Sequence, residues 1–153
     1  MLSFLVLASI LLIIAMMAQP PNIDEKFRDA DKIRGTWISD AKDSRMEIYK
    51  SGNTYKGRLI EGWGLKMYEA DGKTLRKDSK NPDVNLQNRT LANMEFISEV
   101  VFENGEYIGG KLYMAQIGKS VKCKMYFKED KLIMRMYVGF PILGMTKEWS
   151  RIH

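Results

Sequence analysis

This chain has little with which to do covalent chemistry. Among its 153 residues there is one cysteine, Cys123, and one histidine, His153. A lone cysteine excludes a disulfide within the chain, and no disulfide-linked partner is expected. A lone histidine at position 153 leaves no internal imidazole for general base work, so Ser–His and Cys–His pairs within the domain are excluded. No His/Cys cluster with metal-ligand spacing occurs, and neither a metal nor another cofactor is expected. Blocks of one charge are missing too. The net charge of +5 and an isoelectric point near 9.2 permit attraction to anionic surfaces. The Lys and Arg residues are scattered singly among apolar ones, however, and the basic tail or helix that would signal nucleic-acid binding is absent.

What is present begins with MLSFLVLASILLIIAMMAQPP, which carries no charge at all. The apolar run from Leu2 to Ala18 matches a signal h-region in length and falls short of the ~20 residues of a bilayer-spanning helix. Ala18 before Gln19-Pro20-Pro21 resembles a cleavage site, although no Lys or Arg precedes the run and Met16 is bulky for its position. Residues 1–18 are expected to be a signal peptide that directs export. The alternative is an uncleaved membrane anchor through residues 2–18. A polar lead-in at 19–33 follows, then one domain at 34–153, long enough to bury a core without disulfides.

Strand patterns fill that domain: GTWIS (35–39), RMEIYK (45–50), YKGRLI (55–60), LKMYEA (65–70), MEFISEVVF (94–102), EYIGGKLYM (106–114), VKCKMYFKED (121–130), KLIMRMYVG (131–139) and TKEWSRI (146–152). Gly52-Asn53, Asp71-Gly72 and Asn104-Gly105 mark turns. The spacings leave no room for crossover helices, so the pairing is antiparallel. The expected fold is all-β: a single up-and-down barrel of about eight strands, able to hold one small ligand or to fill its own interior. Val121, Cys123, Met125 and Phe127 share one face, as do Leu132, Met134, Met136 and Val138. Cys123 reads as a small buried hydrophobe, and Met46, Met125, Met134 and Met136 read as core filling. Trp63, between Gly62 and Gly64, is either a packing residue or a ring for a ligand to stack on.

Gly35 and Trp37 open the first strand, and Trp149 and Arg151 close the last. This arrangement resembles the lipocalin-like (calycin) pattern, in which the first-strand Trp plugs the barrel floor and a late Arg packs across it. Gly57-Arg58-Leu59, Asp78, Asn81-Pro82, Arg89 and Leu91 add a more specific likeness. So do Leu132, Met134, Arg135, Gly139, Leu143-Gly144, Thr146 and Trp149. Together they resemble the bacterial exported-protein family catalogued as domain of unknown function 2147. The resemblance implies a lipocalin-like barrel and export to the periplasm or beyond; it implies no activity.

The loop KDSKNPDVNLQNRT (77–90) is the longest stretch without a hydrophobic cluster. Asn81, Asp83 and Asn85 alternate as in a calcium loop, but Leu86 and Ala92 occupy the positions of the turn glycine and the bidentate glutamate, which argues against calcium. Two readings remain. The loop is a self-satisfying turn in which Arg89 pairs with Asp78 or Asp83, or these groups join Arg58 as a polar rim over an apolar cup. The candidate ligand residues are Arg58, Trp63, Asp78, Asn81, Asp83 and Arg89.

The expected job is non-covalent binding of a small apolar or amphipathic ligand. The alternative is a structural or envelope-interaction protein with a filled barrel, whose basic outer surface docks on a membrane of anionic lipid or on a partner. A catalyst would have to work through carboxylates, with Asp78, Asp83, Glu61 and Glu95 available.

Overall fold

The structure, a computed structural model, describes residues 29–62 and 64–152. The chain divides between Ala30 and Asp31 into two units. Of the first unit only Asp29 and Ala30 are described, so the expected signal peptide (1–18) and most of the lead-in lie outside the described residues. The second unit contains eight strands: β1 (Gly35–Ser39), β2 (Ser44–Ser51), β3 (Thr54–Gly62), β4 (Glu95–Glu103), β5 (Glu106–Met114), β6 (Lys119–Lys128), β7 (Lys131–Tyr137) and β8 (Met145–Ile152). Each pairs antiparallel with the next, and β8 pairs back onto β1 with Arg151 opposite Trp37. The sheet is a closed up-and-down barrel, which leaves no free edge to template pairing with another chain.

The hairpins follow local chemistry. Asn104 and Gly105 have φ of 50° and 83°, the positive pair of a type I′ turn, whose twist matches that of the flanking strands. The strand expected at 65–70 does not form. Leu65 bridges back to Gly62 and Tyr68 forward to Leu75, so the segment folds on itself. Lys66, Tyr68, Glu69 and Ala70 are exposed, and without a buried face its alternation had nothing to fix a register. β7 likewise ends at Tyr137, and Val138, expected on the core face, is exposed.

Inside, the alternation converges on a packed floor. Trp37, Tyr107, Trp149, Met125 and Met134 have no exposed surface. The Trp37 and Phe127 rings lie 5.9 Å apart, Tyr107 and Phe127 6.2 Å, and Tyr55 and Tyr107 5.6 Å. Glycines let the strands' contents approach closely. A Cβ on Gly110 would sit 2.6 Å from the Cys123 sulfur and 2.8 Å from a Val100 methyl, and one on Gly57 would sit 3.0 Å from Ile97. Cys123 is buried among these side chains, and burial pushes its thiol up to about 12, consistent with a packing role.

The segment before β1 seals this end. Ile33 is fully buried, and Trp37 Nε1 donates to its carbonyl at 2.9 Å. The Arg151 guanidinium lies 4.4 Å from the Trp37 ring and donates to the carbonyls of Arg34 (2.7 Å) and Lys32. Three successive carbonyls are thereby satisfied by two side chains. Gly35 adopts φ 131°, and a Cβ there would meet Arg151 Nη1 at 2.5 Å, so glycine leaves room for the arginine. Asp31 accepts hydrogen bonds from Tyr55 (2.7 Å) and Lys50 (3.1 Å). The Tyr55 hydroxyl does most to hold the Asp31 carboxyl below its ordinary range.

Two stability changes follow. Trp37→Ala is expected to cost ~3–5 kcal/mol through the cavity left at the floor. Gly110→Ala is expected to cost about 1–3 kcal/mol by overpacking. Urea unfolding monitored by circular dichroism measures both; a neutral Gly110→Ala would show that the interior has slack at this level.

Candidate functional site

At the other end the barrel is open. Met114, Val121, Met136 and Met145 continue the inward alternation of Leu112, Cys123, Met134 and Trp149, but nothing as large as the two tryptophans fills the space between them. The result is a cup of about 330 Å³, lined also by Tyr137, Val138, Leu143, Gly144 and Lys147. Its size lies at the lower end of small-molecule pockets, and its wall is predominantly apolar.

The β7–β8 connection builds one side of the cup. Pro141–Leu143 form a single 3-10 turn, with Leu143 N donating to Phe140 O at 3.2 Å and Gly144 N to Pro141 O at 3.1 Å. Arg135 fixes the turn from below, donating to Pro141 O (2.8 Å), Ile142 O (2.9 Å) and Thr146 Oγ1 (2.8 Å). A Cβ on Gly144 would collide with the Met136 carbonyl, so glycine lets the loop fold back against β7.

Lys147 brings the cup's one charge. Its Nζ donates to Asp43 Oδ1 (2.7 Å) and Ser44 Oγ (3.1 Å). Ser39 and Ser44 hydroxyls donate to the same carboxylate oxygen at 2.6 and 2.9 Å. The Lys147 hydrogen bond, followed by the two serines, holds Asp43 well below its ordinary value of 3.8.

The polar loop at 77–90 takes the self-satisfying form. The Asp78 side chain is fully buried and accepts three hydrogen bonds, from Arg89 Nε (3.0 Å), Asn81 Nδ2 (2.7 Å) and Tyr113 Oη (2.7 Å), with Arg89 Nη2 ion-paired to it at 2.8 Å. The Arg89 guanidinium also stacks 5.5 Å over the Tyr113 ring. Burial, and then the bond to Asp78, push the Tyr113 hydroxyl up to about 12. Asn81 Oδ1 caps the Asp83 N–H at 2.9 Å, and Asp83 Oδ1 accepts from Asn85 N at 2.9 Å, so these alternating oxygens serve the turn itself.

Of the six candidate residues, Asp78, Asn81 and Arg89 come together with Asp83 beside them. They gather against Tyr113, which lies between Leu112 and Met114 and therefore points to the opposite face of β5 from the cup. Arg58 is elsewhere: on the outward face of β3 it pairs with Glu47 at 2.8 Å and covers the Tyr49 ring at 5.1 Å. Trp63 lies outside the described residues. The carboxylates considered for catalysis are each engaged separately, Glu61 with Arg45 (3.2 Å) and Glu95 with Lys56 (3.1 Å) and Tyr49 (3.1 Å). Gly35, Trp37, Trp149 and Arg151 all sit at or near the floor. The sequence reading missed Met114, Val121, Tyr137, Leu143, Met145 and Lys147 as a group. The signal was there in FPILGM, whose apolar residues break strand alternation.

An antiparallel eight-stranded barrel with a tryptophan–arginine floor and an open apolar mouth is a lipocalin-like fold. The chain belongs to a family of uncharacterized proteins conserved in bacteria, domain of unknown function 2147, whose profile matches residues 35–151. It is similar in structure to protein HP1028 from the human pathogen Helicobacter pylori, described as belonging to the lipocalin family. There the TM-score is 0.65 at 22% identity, over 80% of this chain and 84% of that one. A weaker similarity, TM-score 0.41 at 14% identity, links 80% of this chain to 98% of a variant of the fluorescent protein UnaG. No curated protein matches the sequence.

Two predictions test the site's electrostatics. Asp78→Ala leaves the Arg89 charge and the Tyr113 hydroxyl without their shared acceptor and is expected to cost ~3–5 kcal/mol; a loss within measurement error in urea unfolding contradicts the network's role. Asp43 has a depressed folded pKa, so the stability it contributes is present above its ordinary value of 3.8 and is lost as pH falls further. In Asp43→Asn the acid-induced loss of stability below that pH is expected to shrink, as read from unfolding midpoints across a pH series.

Proposed function

We propose that the protein is an exported binding protein whose mouth cup holds a small, partly apolar ligand. The observation that carries the reading is the contrast between the two ends of one interior. The floor is filled by Trp37, Tyr107 and Trp149, and the hollow of about 380 Å³ beside it is lined mainly by charged and polar residues such as Lys32, Asp130, Lys131 and Arg151, whereas the mouth keeps a 330 Å³ apolar hollow with Lys147 at its edge. Methionines suit such a wall, because their unbranched thioethers adapt to ligands of irregular shape. An anionic head group would compete with Asp43 for Lys147 and find the Ser39 and Ser44 hydroxyls nearby. Arg58 and Arg89, which the sequence suggested for that task, are committed to Glu47 and Asp78.

The test is titration of the full chain with dansylated undecanoic acid, an apolar chain bearing one carboxylate, read by dansyl fluorescence. Val121→Trp fills the cup and is expected to abolish binding. Lys147→Met is expected to weaken the acid by about tenfold while leaving the corresponding alcohol unchanged, the scale of one charge-assisted hydrogen bond. Arg89→Ala is expected to lower stability without changing probe affinity. Wild-type affinity in Val121→Trp would place binding elsewhere and end this reading.

A further inference from the structure

We infer that the β7–β8 loop inserts into the surface of an anionic lipid bilayer. Val138, Phe140, Ile142, Leu143 and Met145 are between 72 and 84% exposed. Single exposed apolar residues are ordinary on any surface, but five within eight consecutive positions form a patch that calls for a partner. Ile117, 54% exposed in the β5–β6 turn, lies at the same end of the barrel.

The loop's backbone distinguishes a bilayer from water as its medium. A segment entering lipid must satisfy its own N–H and C=O groups, because no water is there to do so. At the tip, Pro141 has no N–H, Leu143 N and Gly144 N bond within the turn, and Arg135 covers the Pro141 and Ile142 carbonyls. These two N–H groups and the carbonyls of Phe140, Pro141 and Ile142 are thus satisfied within the loop, while the side chains of Phe140, Ile142 and Leu143 are exposed.

Charge selects the kind of membrane. From Tyr107 to Lys128 and from Lys131 to Lys147 there is no Asp or Glu, so the mouth-side parts of the two hairpins bordering the cup carry only cations, with Asp43 at this end paired to Lys147. Lys122 stands opposite Tyr137 in the β6–β7 ladder, directly below the loop, and Lys119 stands opposite Met114; both are exposed. Lysines beside an apolar tip and a tyrosine at the polar boundary match the layering of an anionic bilayer surface. Val138, Leu143 and Met145 belong to both the patch and the cup wall, whereas Phe140 and Ile142 lie outside the cup's lining and separate insertion from ligand binding.

The test places an environment-sensitive nitrobenzoxadiazole label on Ile142→Cys in the full chain, with Ser51→Cys at the opposite end as control. The native thiol, Cys123, is buried and does not compete for label. Vesicles are phosphatidylcholine with or without phosphatidylglycerol. With phosphatidylglycerol, the label at 142 is expected to brighten, shift to the blue and be quenched by nitroxides on the lipid acyl chains, while the label at 51 stays aqueous. Phe140→Ser is expected to weaken this response by about tenfold while leaving dansyl-probe binding intact. A label at 142 that remains aqueous on vesicles overturns the inference, including when the leader alone attaches the chain. So does shielding of that label before any lipid is added, which would mean that the loop packs against a second copy.

Discussion

A sheet closed into a barrel still has two open ends, and the contact that seals one of them organises this molecule. Arg151 lies flat on Trp37 and, with the indole N–H, takes up the carbonyls of Lys32, Ile33 and Arg34. That arrangement joins the first strand, the last strand and the segment before the barrel at one point. Only a planar guanidinium can cover an aromatic face and reach two carbonyls at once, which a lysine in its place could not do. The cation needs the space that Gly35 leaves open. Phe127, Tyr107 and Tyr55 pack in series beside Trp37 at this sealed end, and the barrel's opening lies at the other.

The mouth is kept open by the same economy of side chains. Above Met134 and Cys123 the inward positions are methionines and a valine, and the β7–β8 loop leans outward on Arg135 rather than collapsing into the gap. The polar loop between β3 and β4 also contributes stability without occupying the cup. Its buried Asp78 gathers an arginine and an asparagine of the loop on one oxygen and Tyr113 on the other, and the tyrosine ties the loop to the outer face of β5. A carboxylate so completely engaged is poorly placed to take a ligand as well, because a ligand would have to displace bonds that are shielded from water.

Much of the fold was legible in the sequence because its signals are local. Asn104-Gly105 specifies its turn, the alternation in 121–128 and 131–137 specifies which residues face inward, and Gly35, Trp37 and Arg151 mark the floor. The segment at 65–70 misled for the same reason: alternation over so few residues is uninformative unless one face becomes buried, and burial is decided by the rest of the chain. The site was legible only in part. Asp78, Asn81 and Arg89 are close in sequence and do meet, but the face of β5 against which they meet cannot be derived from spacing. The cup is assembled from four strand ends that are remote in sequence, and Lys147 gains its significance from Asp43 across the barrel. Membership in domain of unknown function 2147 was legible from motifs whose physical roles the structure supplies, such as Arg135 and Thr146 holding the loop.

The measurement that bears most directly on the central claim, a sealed floor beneath an open binding cup, is native mass spectrometry of the protein purified gently from its own host. It would be followed by denaturation and identification of any molecule released. The account predicts one small amphipathic molecule per chain, lost when Val121→Trp fills the cup. A clean apo mass, unchanged after exposure to a panel of lipids and metabolites, would contradict it.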